Sequence, residues 1–222
     1  MARQERNGDR KPRAKKVPSR QLQLGYYLIV TDTEATEKIY FEGLKNSLPD
    51  ETKGKIEINV VKTPTEKMIT KCLDAFSGDV KYRIPWIVFD RDRVRNFDSI
   101  ICAAEANGIK VGWSNPCFEI WEFAYFNRIP SIVESTICCS RFAELYKKKT
   151  GQEYDKADKD LYKHLQNAGN EMEAIRRMEN RHKQYNSNRI TKPSDMVPCS
   201  TVYKLVKEIR QKVDSVAEIS EL

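Results

Sequence analysis

The sequence predicts an α/β fold: a parallel sheet with flanking crossover helices, continued by a helical C-terminal appendage. Two observations carry this. From Leu24 to Phe126 short apolar runs alternate with amphipathic stretches, the pattern of successive βα units. The third run, Trp86 to Phe89 (WIVF), is apolar at every position, as suits an interior parallel strand covered on both faces.

The first strand is expected over Leu24 to Thr31 (LGYYLIVT), rich in β-branched and aromatic residues. Polar DTEATE then leads into a helix marked by Ile39, Phe41 and Leu44. A second strand, Ile56 to Val61, passes through Pro64 into a helix on which Met68, Ile69, Cys72, Leu73 and Phe76 recur at helical spacing. The third strand ends on Asp90-Arg91-Asp92. A helix over Phe97 to Ala106 closes at Asn107-Gly108, and a fourth strand, Ile109 to Trp113, runs through Ser114-Asn115-Pro116 into a helix over Cys117 to Phe126. Beyond Asn127, helical patterns cover about 140–149, 155–168, 170–185 and 201–214. The division expected is a basic disordered tail over 1–22, an α/β domain over 23–128 and a helical region over 129–222.

Composition narrows the function classes. Of the 222 residues 40% are hydrophobic and 32% charged, and no apolar run approaches the roughly 18 residues of a membrane span, so no membrane association is expected. The net charge of +7 is concentrated in the first 21 residues, where eight Lys/Arg oppose Glu5 and Asp9. The rest of the chain is close to neutral, so any basic face on the folded body must come from local clustering. The best candidate is Ala174 to Lys192, with Arg176, Arg177, Arg181 and Lys183. Six cysteines without a CxxC pair argue against a disulfide framework or a zinc finger and suit a reducing, cytoplasmic setting; vicinal Cys138 and Cys139 are the pair able to bind a soft metal or to oxidise.

In an open parallel sheet the functional crevice lies at the carboxyl ends of the strands. Asp32 and Glu34 follow the first strand, and Asp90 and Asp92 end the third. If those strands are neighbours, their carboxylates face one small volume, where they repel one another unless a hard cation such as Mg²⁺ or Mn²⁺ neutralises them. Arg91 and Arg93 alternate with the second acidic pair and are the candidate nucleic-acid contacts there. Taken singly, Asp32 also suits a helix N-cap and Asp90-Arg91-Asp92-Arg93 a salt-bridged loop. Phe89 to Val94 fits the DxDx[TV] nucleophile motif of haloacid-dehalogenase phosphatases, but there the motif follows the first strand, and here two βα units precede it.

An acid after the first strand and a DxD after the third resemble the TOPRIM fold of primases, type II topoisomerases and related nucleases. More closely, YLIVTDTEATEKIYFEGL, WIVFDRDR, NGIKVGWSNPCFEIWEFAYF and CSTVYKLVKEI resemble the RloB family of TOPRIM-like proteins from bacterial defence loci. The resemblance runs from about residue 25 to 210 and implies a divalent-metal nuclease that cuts nucleic acid, RNA such as tRNA before DNA, after phage infection, often beside an ABC/AAA-type ATPase. It maps the metal acids onto Asp32 or Glu34, Asp90 and Asp92, with Glu37 and Glu119 as further acids. The family reads CEGEKTE where this chain has Thr31 to Glu37, TDTEATE, so its metal-binding Glu falls on Asp32 and its Gly on Thr33. The alternative is a catalytically inactive scaffold that binds nucleic acid or the ATPase. Homo-oligomerisation is compatible with either.

Overall fold

The computed structural model describes residues 25–52, 56–76, 83–92 and 94–220; the expected basic tail and Arg93 lie outside them. Five strands form one sheet in the order β2-β1-β3-β4-β5: β1 (Gly25–Thr31), β2 (Ile56–Lys62), β3 (Arg83–Asp90), β4 (Lys110–Asn115) and β5 (Cys199–Ser200). The first four are mutually parallel, and β5 is antiparallel to β4 at the edge. From β1 the chain steps outward through α1 (Thr36–Asn46) to β2, returns past β1 through α2 (Met68–Phe76) to β3, and continues through α3 (Phe97–Ala106) to β4. The connections from β1 and β3 therefore leave in opposite directions, which opens a crevice between their carboxyl ends.

Alternation along the strands sends successive side chains to opposite layers. Tyr27 and Ile29 of β1 join a core with Tyr40, Phe41 and Leu44 of α1 and Trp121 of α4 (Glu119–Phe126). Leu28 and Val30 join the opposite layer with Met68 and Cys72 of α2 and Phe97 and Ile101 of α3.

Helices α5 (Ser135–Thr150), α6 (Leu161–Ala168), α7 (Glu171–Ser187) and α8 (Val202–Ser220) complete the chain. They are more than an appendage, because Phe142, Leu165, Met178 and Leu205 belong to the same core as Trp121, and the chain between α7 and α8 supplies β5. The apolar stripe Val202, Leu205, Val206 and Ile209 is buried in that core. Close approach of α1 and α6 depends on Gly43, where a Cβ would collide with Tyr162 Cβ.

The helix expected over 155–168 starts only at Leu161. Asp155 and Asp158 accept hydrogen bonds from the backbone N–H of Ala157 and Asp160, both at 2.9 Å, holding the preceding residues in turns instead of a helix. No described helix is long and apolar enough to cross a membrane.

Candidate functional site

The register of the sheet brings the two acidic loops together. Thr31 pairs with Val88 across β1 and β3, so one further residue on the first strand and two on the third set Asp32 beside Asp90 at the switch point. A cleft of about 380 Å³ there is lined by Asp32, Glu37, Asp90, Asp92, Glu119 and Lys156, with Thr33, Thr36 and Thr65 among the remaining walls. Glu37 lies in the first turn of α1 and Glu119 begins α4, so positive helix ends face this acidic volume.

Of the two acids following β1, Asp32 enters the cleft. Glu34 is exposed and is not part of its lining, which corrects its placement among the candidate ligands. The hydroxyl of Thr31 donates to the Thr33 carbonyl at 3.0 Å, and the Thr33 hydroxyl donates to Glu37 Oε2, fixing the loop with Glu37 inward and Glu34 outward.

The electrostatics are those of an under-neutralised site. Burial, then the charges of Glu37, Asp32, Glu119 and Asp92, push the Asp90 carboxyl up to about 9. Burial and Asp32 push Glu37 up to about 7, and burial pushes Asp32 up to about 6. Asp32 Oδ1 is buried without a hydrogen-bond partner, while Oδ2 is only 3.5 Å from the Thr65 hydroxyl. Asp92 accepts from the Ser135 hydroxyl at 2.6 Å. A cluster of hard oxygen donors with an orphaned buried oxygen fits a divalent cation such as Mg²⁺ or Mn²⁺.

Two participants come from afar in sequence, and a third lies behind Glu119 on its own helix. Lys156, in the turn region before α6, places Nζ 2.5 Å from Glu119 Oε1. Burial opposes ionisation of Glu119, but this ammonium holds its carboxyl below the usual range. Tyr154 donates to both Glu119 Oε1 and Glu122 Oε2 at 3.2 Å. Glu122 lies one turn behind Glu119, fully buried, with Oε1 unpartnered; burial and the Glu119 charge raise its pKa well above the ordinary value. The signal for Glu122 was present in EIWEFAYF, where two acids at i,i+3 share a face of an otherwise apolar helix.

The expected basic residues are divided by their contacts. Arg128, Arg176, Arg177 and Arg181 line a second cleft of about 410 Å³ beside the carboxyl end of α4. Arg177 donates to the Ala124 carbonyl and Arg181 to the Ile129 carbonyl, while Arg176 forms a two-point pair with Glu173. Lys183 pairs with Glu179 at 3.1 Å and lies outside this lining. Arg91 turns from the acids to the Ser194 carbonyl and lines a neighbouring cleft with Asp98.

A profile described as RloB-like protein matches residues 27–209. The chain belongs to the RloB-like family. No curated protein and no solved structure matches it. In this RloB-like protein the matched span contains every acid of the cleft and the arginines of the second groove.

Proposed function

We propose that the protein is a divalent-metal-dependent nuclease of TOPRIM type that hydrolyses phosphodiester bonds, with RNA such as tRNA favoured over DNA, as an effector in antiviral defence. The observation that carries this reading is the convergence of Asp32, Glu37, Asp90, Asp92 and Glu119 on one cleft at the switch point, with the Asp32 oxygen left unpaired. Asp32, Asp90 and Asp92 would hold Mg²⁺ or Mn²⁺, with Glu37 and Glu119 at its margin. When bound, the ion would supply charge neutralisation at the scissile phosphate and acidity to the attacking water.

The protein's own groups prepare that chemistry. Thr33 and Thr65 orient Glu37 and Asp32 through their hydroxyls. Glu37, whose carboxyl is pushed up to about 7 by burial and the Asp32 charge in the metal-free protein, adds to the negative charge that a bound cation would neutralise. Lys156 supplies a positive charge at the cleft wall for an approaching phosphate, and Tyr154 keeps Glu119 in position from behind. The arginine groove supports a role in holding the strand: α4 has eight residues, so it separates the acids from this groove by about 12 Å along its axis. The preference for RNA, the cytoplasmic setting, an ABC/AAA-type ATPase partner and self-association rest on the family resemblance and the composition.

The test is incubation of purified wild type and an Asp90→Asn, Asp92→Asn variant with a tRNA pool and with plasmid DNA, in Mg²⁺, Mn²⁺ or EDTA at low salt. Cleavage that needs the metal and disappears in the variant is expected, with tRNA cut in preference to plasmid. Absence of cleavage of both substrates by an intact, metal-loaded wild type would favour the scaffold that binds nucleic acid or a partner ATPase.

A further inference from the structure

Behind the acid cleft lies a cluster of different chemistry. Cys117 is buried just before α4, and Cys139 is half-buried on α5. Their sulfurs are 3.9 Å apart, and with a Glu119 carboxylate oxygen they form a group whose donor atoms all lie within 4.8 Å of one another. The vicinal pair Cys138 and Cys139 is thus joined by a residue some twenty positions earlier: the Cys117 thiol interacts with both, and Cys139 is the member whose sulfur groups with Cys117 and Glu119.

From this arrangement we infer that Cys117, Cys139 and Glu119 form a binding site for a thiophilic divalent cation of the Zn²⁺ class, distinct in its chemistry from the hard-oxygen site. Tetrahedral zinc with Zn–S of about 2.3 Å requires an S···S edge of about 3.8 Å, so the two sulfurs already stand close to ligand spacing. A cation is already seated against the cluster: Lys156 Nζ lies 3.6 Å from Cys139 Sγ and 2.5 Å from Glu119 Oε1, bridging two of the three donors. Its side chain is 51% exposed, so it can swing into solvent and admit an ion, with water completing the coordination on the half-exposed Cys139 side. Binding replaces two S–H bonds by two metal–thiolate bonds and releases two protons to solvent, with no redox change. Because Glu119 also lines the acid cleft, occupation of the thiol site draws on a carboxylate that both sites share.

The test uses Co²⁺ as a spectroscopic probe on the full chain, reduced with a non-chelating phosphine, followed by displacement with Zn²⁺. The expected result is a sulfur-to-cobalt charge-transfer band with tetrahedral ligand-field bands, saturating at one ion per chain and abolished by Zn²⁺. Cys139→Ser should weaken thiolate ligation by about 100-fold or more, since a ligand itself is removed rather than an outer-shell partner. Cys102→Ser, which alters an exposed thiol outside the cluster, should leave the spectrum unchanged. Lys156→Ala should tighten Co²⁺ binding by removing the resident ammonium, an effect that a variant lacking native structure would not show. Asp90→Asn, Asp92→Asn should keep the thiolate band whether or not the protein is a nuclease. A wild type without the band, or a band that survives Cys139→Ser, would overturn the assignment.

Discussion

A lone buried acid, Glu171, and the cluster of acids at the switch point share this fold and have opposite electrostatic designs. Under α8, Glu171 is met on both oxygens: Oε1 accepts from Arg210 Nε at 2.6 Å, and Oε2 accepts from Tyr125, Tyr162 and Gln166 at 3.1, 2.9 and 2.8 Å. At the switch point the acids repel one another across the cleft, and Asp32 Oδ1 is buried without a hydrogen-bond partner. A buried charge that serves the fold brings its countercharge with it. Among the described residues the acid cleft has one ammonium, Lys156, set against several carboxylates, and that surplus of negative charge is what a cation would relieve.

The largest expected effect separates the groups by activity. Asp90→Asn should lower metal-dependent cleavage by about 100- to 1000-fold, as removal of a principal electrostatic element of a reacting centre does. Arg210→Ala, assayed where the chain remains folded, should leave cleavage near wild type. Equal losses in both variants would break the distinction.

Stability should move the other way. Arg210→Ala removes the cation of a buried pair and should cost about 3 kcal/mol in chemical denaturation. Asp90→Asn removes a repelling carboxylate and should raise metal-free stability by about 1 kcal/mol, the usual gain when an active-site compromise is relieved.

The pH dependence sharpens the contrast. Asp32, Glu37 and Asp90 are raised to about 6, 7 and 9, so above about pH 4 these three groups bind more protons in the folded chain than in the unfolded one, outweighing the depressed imidazole of His182. Metal-free stability should therefore fall as pH rises from about 4 through those values. Millimolar Mg²⁺ should flatten the decline, and Asp90→Asn should remove its highest-pH part. A metal-free melting temperature that rises between pH 5 and 9 would contradict the repulsive cleft.

The smallest effect belongs to the arginine groove. Arg128→Ala and Arg176→Ala should each reduce the slope of log binding constant against log salt by up to about one, the change expected when one phosphate is no longer neutralised. Arg177 and Arg181 are poorer probes, because their bonds to the Ala124 and Ile129 carbonyls also tie α7 to the end of α4.

The four parallel strands and most of the acids were legible in the sequence because their signals are local, whereas the adjacency of β1 and β3 is a long-range pairing that only the structure shows. An apolar WIVF ending on Asp90 and a β-rich run ending before Asp32 mark the ends of parallel strands. Irregular TDTEATE has no period by which to choose between Asp32 and Glu34, and the hydroxyl bonds of Thr31 and Thr33 make that choice. Arg91 has the sequence position of a substrate-binding residue, but its partner is Ser194, more than a hundred residues away. Lys156 was hidden for a related reason: the helical pattern expected over 155–168 breaks at turns made by Asp155 and Asp158, and those turns precede α6 in the region that carries the ammonium to Glu119. Two-residue β5 was too short to leave a strand pattern, and it forms only against β4.

The most direct test of the central claim is a Mn²⁺ titration followed by the electron paramagnetic resonance signal of the free ion, on wild type, Asp90→Asn with Asp92→Asn, and Arg210→Ala. Wild type and Arg210→Ala are predicted to deplete free Mn²⁺, and the double variant is predicted to leave it untouched. A full free-ion signal with wild type at millimolar Mn²⁺, or undiminished binding by the double variant, would contradict a divalent-cation site at the switch point.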